Sequence, residues 1–243
     1  ARVKARALAA LKRDPEARAA AQAAVREAEA LPAGERKSQF ERPAALMLLA
    51  EASDADAQAS YEAVVREHAR SAFAAPARYQ LAYRAGKAGR LDEALGQAEA
   101  LLKELPSDAK ETAELRRKAL FAAADFAFRK EDFARAEAYL KEYAALPATQ
   151  ADPQGSQLGL VLLRQAWCRY KARDAAAAVK LLDAGLSGPA QGALRSEMLY
   201  LRGLARLRPF GARSEGSEPE VAPEEAVRGL RDLAEEDPLE TEA

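Results

Sequence analysis

The chain has 243 residues, with 37 Lys plus Arg against 38 Asp plus Glu and a formal net charge of -1. That balance excludes the strongly positive field of most nucleic-acid binders and a polybasic membrane anchor, and a single Cys excludes an internal disulfide. With 62 Ala, 8 Val, 3 Thr and no Ile or Asn, only 11 residues are β-branched, too few to furnish strands.

Ala, Leu, Glu, Arg and Lys lose least on entering a helix, so the expected fold class is all-α. Taken in chain order, ARVKARALAALK predicts a helix near 1–12, and Asp14-Pro15 opens another near 15–31, with Pro where its missing N–H costs nothing. Helices follow near 35–52 and 54–69, then near 71–87 and 91–105, the last two separated by a turn between Gly86 and Gly89. The next are near 108–130, 132–146, 155–172, 174–186 and 190–208, and a last one near 223–236. Asp54, Asp132 and Asp174 suit N-caps or first turns, and Leu105-Pro106 and Leu146-Pro147 suit helix ends. The turn-rich stretch 209–222 is expected to be a loop insertion in a single domain spanning 1–243. No apolar run reaches the roughly 18 residues of a bilayer span. The last residues, running past Pro238 toward a further element without a polar capping helix, suggest a segment of a longer protein. The lack of Ile and Asn, with 26 Arg against 11 Lys, suggests a GC-rich bacterial coding sequence.

A pattern recurs along the chain: a turn, then a small alanine in a charged helical stretch, often closed by Pro. The alanines are Ala20, Ala57, Ala94, Ala136, Ala178 and Ala226, at spacings of 37, 37, 42, 42 and 48. Each unit carries a second helical segment upstream, so two helices share each period, as in an α-hairpin solenoid. Ala94, Ala136 and Ala178 would lie where two helix backbones cross too closely for a larger side chain. A quarter of the chain is Ala, so an alanine-rich background is the competing explanation. The shared frame argues for the repeat: Gly89, Glu131 and Arg173 each stand five residues before the alanine, closing the preceding turn.

Tyr79, Leu81, Ala82, Gly89, Ala94, Leu101 and Pro106, then Phe121, Ala124, Phe133, Ala136, Leu140 and Pro147, resemble the pattern of the tetratricopeptide repeat family. The resemblance covers essentially the whole chain, although the hallmark tryptophan positions are mostly not aromatic and the periods exceed the family's usual ~34 residues. It implies a right-handed α-hairpin solenoid of about six repeats whose first helices line a concave face.

Little in the chain suggests catalysis. His68, the only histidine, falls at a helix end and suits a satisfied surface residue; Cys168, beside Trp167, suits a small buried hydrophobe. Three repeats separate them, too far for a nucleophile–base pair, and together they cannot make a zinc site. Asp54/Asp56, Glu224/Glu225 and Glu235/Glu236/Asp237 look like solvated charge, and the Gly86–Gly89 pair follows no strand, as a phosphate loop would require. The expectation is no enzyme, no cofactor and no metal.

If the family's orientation holds, the inward face carries Tyr79, Tyr83 and Lys87, then Phe121, Asp125, Phe128 and Arg129. Leu163, Trp167, Tyr170 and Lys171 follow, and Tyr200, Leu204 and Arg208 come last. Spacings of three to four residues put each set on one helix face, and aromatics flanked by cations suit a protein or peptide segment as partner. The same spacing also suits inter-helix core. With no Asn, the chain lacks the paired asparagines that family members use to grip chaperone C-termini. The expected function is a protein–protein interaction scaffold in a larger bacterial assembly. YEAVVREH and ALLKELP resemble repeat proteins of the cell envelope, placing it there or in the periplasm. The alternatives are a peptide- or ligand-sensing domain attached to an effector, or an enzyme on an α/α-barrel, which would need paired carboxylates in a closed cavity.

Overall fold

Segments rich in Ala and Leu form eleven α-helices in the computed structural model, which describes residues 2–10, 14–32, 36–106, 110–146, 156–188 and 192–207. They are α1 (Arg2–Ala10), α2 (Asp14–Glu29), α3 (Arg36–Ala52), α4 (Asp54–Glu67), α5 (Ala74–Lys87) and α6 (Leu91–Glu104), then α7 (Ala113–Arg129), α8 (Phe133–Ala145), α9 (Ser156–Lys171), α10 (Ala175–Leu186) and α11 (Gly192–Leu207). There is no strand among the described residues. The loop expected over 209–222 and the helix expected over 223–236 lie outside them.

The chain divides within α7 into two compact units, Ala1–Ala123 and Ala124–Ala243. In the first unit each of α1 to α6 packs on its neighbour in sequence, and α1 also touches α3. In the second, α8 packs on α9, α9 on α10 and α10 on α11, and α9 also touches α11. α1 and α3, and α9 and α11, thus meet across the helix between them. Ala94, Ala136 and Ala178 are each 0 % exposed, with Leu101, Leu140 and Leu182 buried further along the same helices. An alanine there lets the crossing backbones approach.

The turns repeat the same geometry. Gly89, Glu131 and Arg173 have φ of 78°, 62° and 66°. After each, an N–H donates back to a helical carbonyl: Arg90 to Ala85, Asp132 to Ala127 and Asp174 to Arg169, all at 2.9 Å. A left-handed residue with this six-residue closure is a Schellman cap, and it releases the chain straight into the next helix. There the Asp132 carboxylate accepts from Arg135 N–H and the Asp174 carboxylate from Ala177 N–H, each capping the first turn. Leu105 and Leu146, each before a proline, take extended conformations that end α6 and α8.

The start of α5 departs from the sequence expectation, and α3 runs through a proline as expected. α5 begins at Ala74 and not near 71, because Ser71 N–H donates to the His68 carbonyl at 2.8 Å and Ala74 N–H to the Ser71 carbonyl at 3.1 Å, forming tight turns after α4. Within α3, buried Pro43 sits in the helix interior and has no N–H to give the Gln39 carbonyl four residues earlier.

Arginines tie helix ends to the following helix. Arg42 on α3 donates to the Ala28 and Glu29 carbonyls at the end of α2. Arg116 on α7 donates to the Leu102 and Leu105 carbonyls at the end of α6, at 3.0 and 2.7 Å, and Arg195 on α11 to the Leu186 carbonyl at the end of α10, at 3.1 Å. Each puts positive charge on carbonyls left without helical donors, at the negative end of the helix dipole.

Candidate binding surface

In the first unit the predicted surface is carried by α5. Tyr79 and Tyr83 stand one turn apart and stack with ring centroids 6.5 Å apart and an interplanar angle of 21°. Tyr79 is half-buried and packs against the cluster of Leu101, Leu105 and Ala119; this burial raises its phenol pKa, with the neighbouring Tyr83 adding to the shift. Tyr83 is 49 % exposed, and Lys87, one turn further, is exposed. Phe121 on α7, in the same unit, is half-buried.

In the second unit α7 and α9 bring Asp125, Phe128 and Arg129 together with Arg164, which the sequence reading did not single out. Asp125 lies between Arg129 at 3.7 Å and Arg164 at 3.9 Å, and the Arg164 guanidinium lies 5.6 Å from the Phe128 ring centroid. Phe133 meets Phe128 edge-on at 5.4 Å. Trp167 and Tyr170 are also edge-on, at 5.9 Å, but their surroundings differ. Tyr170 is only 7 % exposed, in the cluster with Leu163, Ala166 and Leu182, whereas half-buried Trp167 packs against that cluster from outside. Tyr170 and Leu163 are therefore core residues, and Lys171 is exposed. Tyr200 on α11 is 49 % exposed and Leu204 is half-buried; Arg208 lies outside the described residues.

Lys87, Arg129 and Lys171 occupy equivalent places, 42 residues apart, and all three are exposed. Four residues before each stand Tyr83, Asp125 and Trp167. The chemistry these positions offer is apolar contact, ion pairing and hydrogen bonding, which suits recognition of an extended or helical protein segment.

Cys168 is buried on α9, and burial, helped by nearby Glu137, pushes its thiol up to about 12. His68 stands at the end of α4, the helix end expected for it, and is half-buried. It borders a pocket of about 710 Å³ in the first unit, between the start of α3 and the turn after α4, with Phe40 and Phe73 as its aromatic wall. Phe40 is 52 % exposed. No signal in the repeat pattern marks this pocket, because its lining comes from the irregular residues between two helices. Among the described residues there is no group of three or more His, Cys, Asp or Glu that could hold a metal ion, and no helix is long and apolar enough to cross a membrane. No protein-family model and no curated protein matches the chain.

Proposed function

We propose that the chain is a protein–protein interaction scaffold, a right-handed solenoid of about six tetratricopeptide-like hairpins without catalytic activity of its own. It holds partner segments against its odd-numbered helices within a larger, envelope-associated bacterial assembly. The supporting observation is the recurrence of an exposed cation at Lys87, Arg129 and Lys171, each one turn after Tyr83, Asp125 or Trp167, on helices whose other faces are buried. Exposed cations beside an aromatic or acidic side chain are available to pair with a partner segment. The cell-envelope assignment rests on the resemblance of the repeat sequences.

Random linear peptides displayed on phage and selected on the full chain test the proposal. Selected peptides are expected to lose at least about tenfold in affinity on Tyr83→Ala/Lys87→Glu or on Trp167→Ala/Lys171→Glu, since an aromatic anchor contributes about 2 kcal/mol or more. Thermal melts separate binding from folding, which matters most for Trp167. No enrichment, or peptides indifferent to both double variants while the fold is intact, would refute the reading.

A further inference from the structure

The pocket beside His68 lies at the end of α4. Its ten described lining residues come from two short stretches, 39–40 in the first turns of α3 and 66–73, from the last turn of α4 onward. Tight turns shape the second stretch: Ser71 N–H donates to the His68 carbonyl at 2.8 Å and Ala74 N–H to the Ser71 carbonyl at 3.1 Å. The result is a local concavity of about 710 Å³ and not a groove running along several hairpins. That volume falls within the roughly 300–1,000 Å³ of small-molecule sites.

Side chains able to donate dominate the polar part of this lining: Arg66, Arg70, Gln39, Ser71 and His68. Glu67 is the one carboxylate among the described lining residues, and it is ion-paired with Arg66 at 2.7 Å. The hydrogen bond from Arg66 lowers the Glu67 pKa, so the carboxylate is ionised at neutral pH. Arg70 is exposed and held by no ion pair among the described residues. Two guanidinium groups against one carboxylate leave one positive charge in excess. Burial and then Arg42 lower the His68 pKa, against the opposing effect of Glu67, so the imidazole is neutral at neutral pH. Arg42 itself is bonded to the carbonyls of α2, and Arg2 pairs with Glu41 at 3.1 Å. The buried Ser71 Oγ has no hydrogen-bond partner, which leaves a polar group of the wall uncompensated. The rest of the lining is alanine and aromatic. Phe40 and Phe73 are tilted at 60° with centroids 5.3 Å apart, and Phe40 stays 52 % exposed although the Arg2 guanidinium lies 5.3 Å from its centroid.

We propose that this pocket binds a small aromatic carboxylic acid. The carboxylate pairs with Arg70, with His68 N–H and the Ser71 hydroxyl as neutral donors, and the ring packs against Phe40 and Phe73. A bare inorganic anion would leave the rings in water, and an uncharged ring would leave Arg70 without a partner; an aromatic acid answers both demands. The site uses none of the residues assigned to the scaffold surface, so either proposal can fail alone.

The test is a titration of the isotope-labelled full chain with 2-naphthoate, followed by NMR shifts of the His68–Phe73 backbone amides. Saturable shifts are expected, with uncharged 2-naphthamide and ring-free acetate each at least about tenfold weaker, because one loses the charge-assisted bonds and the other the ring contact. Saturation should also raise the His68 pKa, read from its imidazole C–H shift across pH, since an anion beside it favours the imidazolium form. Arg70→Gln, at an exposed position, is expected to weaken binding at least about tenfold with an unchanged melt, and Arg70→Lys to restore part of it. Phe40→Ala is a second variant that should weaken binding without touching the cations. Equal response to naphthamide, shifts only elsewhere, an unmoved His68 pKa, or binding unaffected by both folded variants would overturn the proposal. So would binding of acetyl-Gly-Glu-Phe-Gly-amide as tightly as naphthoate, which would make the pocket a seat for an acidic partner segment.

Discussion

Replacing Glu131 with glycine is expected to stabilise the second unit, and replacing Arg173 to change it less, by amounts set by where each side chain sits. Both have positive φ, at 62° and 66°, and both side chains are exposed. A left-handed L-residue costs roughly 1–2 kcal/mol, of which the extra freedom of glycine in the unfolded chain returns about 0.4–1 kcal/mol. That leaves a gain of about 0.5–1 kcal/mol from the backbone alone. Charge then separates the two sites. Glu131 places a negative charge beyond the C-terminus of α7, so removing it adds about 0.3–1 kcal/mol, whereas removing favourable Arg173 after α9 subtracts a similar amount. Glu131→Gly should therefore gain about 0.8–2 kcal/mol, and Arg173→Gly should fall between a loss of about 0.5 and a gain of about 0.7 kcal/mol. Gly89→Ala should lose about 0.5–1 kcal/mol from strain alone, because a Cβ there meets nothing within 4 Å. Urea unfolding followed by helical circular dichroism reads these as midpoint shifts at constant slope. A lowered midpoint for Glu131→Gly, a raised one for Gly89→Ala, or a larger gain for Arg173→Gly than for Glu131→Gly would refute the argument.

Ala94→Leu and Ala136→Leu should each cost about 1–3 kcal/mol by overpacking a helix crossing, and parental melting in both would show that the crossings have been misplaced. Asp132→Ala should cost about 1 kcal/mol at pH 7 through loss of the cap. The Arg135 backbone N–H, then its guanidinium, hold this carboxyl below its ordinary 3.8, so the cap's stabilisation is present above that value and lost as acid protonates it. Denaturation of both proteins across pH should show their difference closing at low pH; a constant difference would count against the charged cap. Cys168 should resist Ellman's reagent at pH 8 in the folded chain and react fully in urea, because so little of its buried thiol is ionised; rapid reaction without unfolding would contradict its burial.

The hairpin pattern was legible because several independent demands coincide every 42 residues between Gly89 and Arg173: a left-handed turn, a helix start and an alanine that permits close crossing. Each leaves a mark on residue type, and the structure places Ala94, Ala136 and Ala178 in full burial. Periodicity could not separate core from surface among the aromatics, since a ring at the edge of a helix stripe serves either. Trp167 and Tyr170 are three residues apart, yet Tyr170 is core while Trp167 remains half-buried. Arg164 was missed because its role depends on Asp125 and Phe128 from another helix. The His68 pocket was missed because most of its lining comes from the turns after α4, which the repeat pattern does not mark.

Packing between neighbours in the chain also has a kinetic consequence. Most helix contacts within each unit join segments only one hairpin apart, so closing them requires short loops and little loss of chain entropy. A single hairpin can therefore nucleate folding and recruit the next, and helices inside a unit exchange their amide hydrogens more slowly than those with only one neighbour. A partner that bridges adjacent hairpins would suppress their separate openings, so binding would be visible as slowed hydrogen exchange well beyond the residues it touches.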